Sequence, residues 1–152
     1  MQFELSRDFA LVQEIVTHAA IYPHISDDAS PSAEDWQPID HPSIEYVVVR
    51  DGGEVLGLWL CVRKNSATLE VHTCLLPRAW GERAKQAARE MAAWIFAHTD
   101  VERISTEVPD YNRLALHFAK RAGMTEYGRN PRSYRKNGKL YDTILLGLSR
   151  PD

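Results

Sequence analysis

The stretch Ala67-Thr-Leu-Glu-Val-His-Thr-Cys-Leu-Leu-Pro77, continued by Arg78-Ala-Trp-Gly81-Glu-Arg83-Ala84 and a run ending near Phe96, decides how this chain folds. Its first part is rich in β-branched and apolar residues, and Pro77 cannot donate to a ladder, so a strand stops there. From there Ala84, Ala87, Ala88, Met91, Ala92, Ile95 and Phe96 recur at helical spacing. A strand that passes through a short glycine-containing turn into a helix leaves backbone N–H groups unpaired at the positive end of the helix dipole. Such a turn suits phosphate or pyrophosphate. Strand-turn-helix units without a ligand are common, so the rest of the chain must decide between a binding turn and a plain connection.

Upstream, Gln2 to Leu5 reads as a strand, and Ser6 as the N-cap of a helix carrying Phe9, Val12, Ile15, Val16 and Ala19, with Asp8 in its first turn. Residues 20–44 lose periodicity. A loop of that length is functional or hides a short helix, which Ser32-Ala-Glu-Asp-Trp36 would begin. Its Tyr22, His24, Trp36 and His41 either wall an acceptor pocket or pin the loop to the core. Strands over 45–50 and 54–63 flank the turn Asp51-Gly-Gly53, and Lys64-Asn-Ser66 leads into a third over 68–76. Downstream come a strand over 102–108, a helix from about Tyr111 to Ala122 closed by Gly123, and strands over 125–135 and 139–148 joined at Asn137-Gly138. The order predicts a mixed α/β sheet, mostly antiparallel. In it strand 102–108 follows a helical crossover and runs parallel to strand 68–76.

The 152 residues predict one domain, 1–152, able to bury a core without disulfides or metal. Cys61 and Cys74 both fall in predicted strands and read as reduced, half-buried thiols. There is no secretory-type start, long apolar run, Cys-x-x-Cys or His-Glu-x-x-His. A cytoplasmic protein with no metal site is therefore expected. A net charge of −3 argues against a broad binder of nucleic-acid backbones. The cluster Arg129, Arg132, Arg135, Lys136 and Lys139 reads as a solvated hairpin, with nucleic-acid binding the weaker alternative.

This order, with a phosphate-type turn after the third meander strand, resembles the GNAT acyltransferases (GCN5-related N-acetyltransferases), and the resemblance spans about residues 2–148. Their turn, Arg/Gln-x-x-Gly-x-Gly/Ala, is matched by Arg78 and Gly81 but not by Arg83. Asn112-Arg-Leu-Ala115 through Gly123-Met124 is similar to the family's fourth-helix pattern. Glu70 lies seven residues before Pro77, as in the branch that acetylates ribosomal-protein N-termini. The wording of Val71 to Pro77 is also similar to GNAT-like proteins of tailed phages.

The resemblance implies a twisted sheet of seven strands with a central parallel pair and flanking helices, and acetyl-CoA as cosubstrate. It implies coenzyme A contacts from Cys74, Leu75, Leu76, Arg78, Trp80, Gly81, Arg83, Ala84 and Asn112. Partners would be acetyl-CoA and an amine of a small molecule or protein, with a homodimer through edge strands. Two departures stand out. Arg83 either points outward to the adenosine 3′-phosphate or blocks the site, and Ala119 replaces a tyrosine proposed to protonate the departing thiolate. They favour the alternative of a non-catalytic binding or structural module, including a phage component.

Acetyl transfer needs a neutral amine, a donor that polarises the thioester carbonyl and a proton for the thiolate. Period-two alternation puts Glu70, His72 and Cys74 on one strand face, with Val71, Thr73 and Leu75 on the other. Glu70 or His72, directly or through water, is the expected general base. Cys74 reads as an apolar filler, Trp80 as a packing residue, Asn112 as a helix cap and Phe118 as core.

Overall fold

The computed structural model describes residues 1–152. Its strands β1 (Gln2–Leu5), β2 (Ile44–Asp51), β3 (Glu54–Arg63), β4 (Thr68–Leu75), β5 (Arg103–Pro109), β6 (Thr125–Lys136) and β7 (Lys139–Ser149) form one sheet in the order β1-β2-β3-β4-β5-β7-β6. Helices are α1 (Phe9–Val16), α2 (Tyr22–Ile25), α3 (Glu82–His98) and α4 (Arg113–Arg121), with a single 3-10 turn at Pro77–Ala79. Only β4 and β5 run parallel.

All seven apolar residues that repeat along α3 are buried, and they pack on one sheet face with Trp59, Cys61, Val71 and Leu75. The opposite face carries α1 and the 20–44 loop over Tyr46, Val48, Leu58 and Cys74. Cys61 and Cys74 therefore lie on opposite faces as free thiols. A smaller cluster, Val108, Ala119, Ile144 and Leu146, seats α4 on β5 and β7.

Several local expectations need correction. Asp8, not Ser6, caps α1: its carboxylate accepts from the Leu11 N–H at 3.1 Å, while Ser6 Oγ accepts from Asp8 N–H. The helix ends at Val16, where Thr17 caps it, so Ala19 lies outside and exposed. The short helix of the loop is α2, while Ser32 to Trp36 makes only a turn. Tyr22 and Trp36 do the pinning. Tyr22 is buried with its hydroxyl on Pro31 O, and the Trp36 carbonyl accepts from Gln13 Nε2 at 3.0 Å.

The loop is fastened to the β6–β7 hairpin. Tyr134 donates its hydroxyl to Ser26 O at 2.7 Å, and Lys136 Nζ donates to Pro23 O and Ser26 O. The Asp28 carboxylate accepts from the N–H groups of Asn137 and Gly138 at 2.8 and 2.9 Å. These two N–H groups, then nearby cations, hold the Asp28 carboxyl below the usual carboxylate range. The hairpin's cations are thus partly engaged, since Arg129 also pairs with Asp110 and Asp142.

Candidate active site

The site begins where β4 and β5 part. Their pairing runs Thr68–Arg103, Leu69–Ile104, Glu70–Ser105 and then stops. Beyond it β4 stays with β3 up to Leu75, while β5 stays with β7 up to Pro109. At the fork, Thr106 Oγ1 donates to Val71 O at 2.8 Å. Leu76 N–H donates to Leu56 O at 2.9 Å. Alternation along that antiparallel ladder turns the backbone groups of Cys74 toward β3 and those of Thr73 and Leu75 into the open fork. Of the trio Cys74, Leu75 and Leu76, only Leu75 faces the fork.

Gly57 makes this geometry possible. It sits at φ +144° beside a bulge in β3, and a Cβ there would lie 2.3 Å from Cys74 O. Only a residue without a side chain lets β3 approach β4 this closely.

At the open end of the fork the turn leads into α3. Ala79 and Trp80 spend their N–H groups on the carbonyls of Leu76 and Pro77. Gly81, at φ +94°, opens α3 without a side-chain cap, and the first helical bond is Lys85 N–H to Gly81 O. The N–H groups of Gly81, Glu82, Arg83 and Ala84 have no protein acceptor. The Arg83 guanidinium lies against Glu54 at 2.9 Å and Asp51 at 3.3 Å, on the β2–β3 turn, and also donates to Arg78 O at 3.4 Å. Arg78 is exposed without an ion-pair partner. Trp80 is not a packing residue; it is 57% exposed, and its indole N–H donates to Leu75 O at 2.9 Å.

A cavity of about 460 Å³ passes through the fork from one sheet face to the other. On the loop side it is lined by Glu70, His72, Glu107, Thr143, Tyr134 and His24. His72 Nε2 lies 3.1 Å from Glu70 Oε2. An ionised carboxylate can only accept, so Nε2 carries the proton and the neutral ring keeps its lone pair on Nδ1. The hydrogen bond from His72 holds the Glu70 carboxyl below its ordinary value and outweighs burial, which acts the other way; the Lys64 charge, and that of the ring whenever it is protonated, add to the lowering. Glu107 Oε2 accepts from Thr143 Oγ1 at 3.1 Å, and Ser133 Oγ lies 2.9 Å from that hydroxyl. No cation pairs with Glu107. Cys74, fully buried, has its thiol pushed up to about 12 by desolvation.

On the helix side the cavity meets Ala88, Met91, Ala92, Phe118, Ala119 and Asn112. Asn112 caps α4, its Oδ1 accepting from Ala115 N–H at 3.2 Å, and its amide NH₂ has no protein partner. Phe118 is half-buried, packed against the main core as expected, and also borders this space. Reading the sequence alone missed Glu107, Thr143, Ser133 and Tyr134. Glu107 alternates correctly with Ser105 to share the Glu70 face, but only its pairing with β7 reveals the neighbours that orient it.

A forked parallel pair, a run of free amides and a cavity lined from both faces of the sheet make up the architecture of an acyltransferase. The sequence profile of the acetyltransferase (GNAT) family matches residues 11–124, and the chain belongs to that family. Its reaction is transfer of an acetyl group to an amine, with acetyl-CoA as cosubstrate. Solved structures of similar fold include the spermidine N-acetyltransferase of Vibrio cholerae in complex with CoA and spermine. That match has 17% identity and a TM-score of 0.76, covering 97% of this chain and 95% of that one. A phenylalanine-to-alanine mutant of the Vibrio cholerae enzyme matches at 15% identity and TM-score 0.79, over 98% and 95% of the two chains. A protein assigned as a phosphinothricin N-acetyltransferase matches at 19% identity and TM-score 0.74, over 99% of each chain. At these identities the likeness is one of fold. No helix is long and apolar enough to cross a membrane.

Proposed function

We propose that His72 Nδ1 is the general base of an acetyl-CoA-dependent N-acetyltransferase and that Glu70 holds its tautomer. The observation that carries this reading is the His72–Glu70 contact of 3.1 Å where β4 and β5 begin to part. A carboxylate held below its ordinary value is a weak base near neutrality, and the contact leaves His72 Nδ1 with the free lone pair. The diphosphate sits on the N–H groups of Gly81 to Ala84, with Arg78 beside them as the free cation. The pantetheine arm lies along Thr73 and Leu75, meets the Asn112 amide, and takes the Leu75 carbonyl from Trp80. Cys74 and Leu76 contribute position rather than hydrogen bonds, and Arg83 reaches a 3′-phosphate only by leaving Asp51 and Glu54.

The amine attacks the thioester carbonyl, whose oxygen is polarised by a fork-facing N–H of β4, and its proton passes to His72. Ala119 offers no proton, so the thiolate collects one from water. Glu70 and Glu107 favour an acceptor that carries an ammonium group. The protein acts in the cytoplasm as one domain and pairs with a second copy through an edge strand, β1 or β6. A non-catalytic module has Ala119 in its favour, and turnover separates the two: acetyl-CoA consumption with a panel of amines, followed by thiol release, is expected, and binding without turnover would leave only the module.

Two variants probe the halves of the site. Gly81→Trp places a side chain at φ +94°, a strained backbone position for any L-residue, and re-aims the neighbouring amides. Calorimetry is expected to show coenzyme A affinity lowered at least about 100-fold with the fold retained. Asp28→Asn replaces a double acceptor by a group with one acceptor and one donor, which faces an N–H. Its effect is expected in KM for the amine, raised several-fold, with coenzyme A binding unchanged.

A further inference from the structure

We infer that the chamber between α3 and α4 admits acyl groups longer than acetyl, so that the protein transfers short-chain acyl groups; this rests on the acyl-transfer reading above. A pantetheine arm laid along Leu75 and Thr73 reaches the end of the fork at the Thr106–Val71 bridge. The cavity does not stop there. Leu148 also lines it, and Leu148 pairs with Ile104, which pairs with Leu69, two residues further down β4 than Val71. Two strand residues span roughly 6.6 Å, the length of a chain of about four carbons.

Apart from Phe118 and Leu148, the walls of this extension are small or deformable. Ala88, Met91 and Ala92 come from α3, Ala119 and Ala122 from the α4 side, and Met124 from the link to β6. Facing alanines on two helices leave open the space that larger side chains would fill by interdigitation. Methionines adjust to an occupant without loss of contact. At 6% exposure, Ala119 contributes only a methyl group to the wall. Every one of these side chains is apolar, so the occupant that suits the chamber is an alkyl chain.

The chemistry is unchanged by chain length. The amine nitrogen forms a bond to the acyl carbon, the carbon–sulfur bond breaks, the amine proton goes to His72, and the thiolate takes a proton from water.

The test is calorimetric titration of the full chain with coenzyme A, acetyl-CoA and butyryl-CoA. Burial of two further methylenes is expected to make butyryl-CoA bind about tenfold more tightly than acetyl-CoA. Ala122→Leu, at a half-exposed helix end where a larger side chain is tolerated, is expected to erase that difference and leave acetyl-CoA affinity unchanged. Met124→Phe fills the same space from the other side and serves if the first variant fails to fold. Equal or weaker binding of butyryl-CoA, or a difference that survives both substitutions, overturns the inference while leaving acetyl transfer intact. If none of the three coenzymes binds, the acyl-transfer reading falls and takes the chamber with it.

Discussion

Replacing His72 by Gln is expected to lower kcat by about 10²- to 10³-fold, the usual contribution of a positioned general base. Affinity for acetyl-CoA should be unchanged. The side chain is 36% accessible, so the substitution leaves no buried void, and the loss is chemical rather than structural. The same rate ratio in the presence of a saturating amine would place the effect after binding; a change confined to KM would remove His72 from the proton path. Glu70→Gln tests the other half of the pair. In the folded protein the Glu70 carboxyl titrates below its ordinary value of 4.5, chiefly because His72 donates to it. A carboxyl with a lowered folded pKa stabilises the native state fully above its unfolded value, and that contribution is lost as pH falls through the lowered one. The stability gap between wild type and Glu70→Gln, followed by urea unfolding, is therefore expected to be constant above about pH 5 and to close in acid.

Gly57→Ala is expected to be the most damaging single-methyl change in the chain. The new Cβ would lie 2.3 Å from Cys74 O and 2.7 Å from Leu75 Cα, and φ +144° already disfavours any side chain. Both neighbours are backbone atoms inside a sheet and cannot rotate away. A loss of about 3–5 kcal/mol follows from clash plus strain, which in a protein of this size lowers Tm by about 6–20 °C. Because the displaced atoms belong to the β4 residues at the fork, coenzyme A binding should weaken in whatever remains folded. Gly128→Ala is the control. Its Cβ would meet only the Leu145 Cδ1 atom at 3.5 Å, so a change within about 0.5 kcal/mol is expected there.

Much of this architecture is legible in the sequence because the signals are local. The α3 apolar repeat names its own buried face, and Asn112 and Gly123 bracket α4 as its caps do in space. Pro77 ends pairing within two residues of the observed strand end. Other features depend on neighbours distant in the chain. Whether Ser6 or Asp8 caps α1 is decided by backbone angles that both residue types can adopt. The loop over 20–44 has no period of its own, because its conformation is set by bonds to a hairpin 108–113 residues away. Alternation places Glu70 and His72 on one face, yet it cannot say how far β4 and β5 stay together. Trp80 looks like packing because an indole usually is; its position on Leu75 O arises from a turn whose backbone path no residue type specifies.

That indole shapes the energetics of the cleft. With Trp80 already satisfying the Leu75 carbonyl, an incoming amide exchanges one hydrogen bond for another and gains little at that atom. The unoccupied donors stand instead at the Gly81–Ala84 end, where nothing must be displaced. Recognition in this protein is therefore weighted toward the nucleotide head of its ligand, and truncated thioesters that lack the diphosphate should make poor substitutes for the whole molecule.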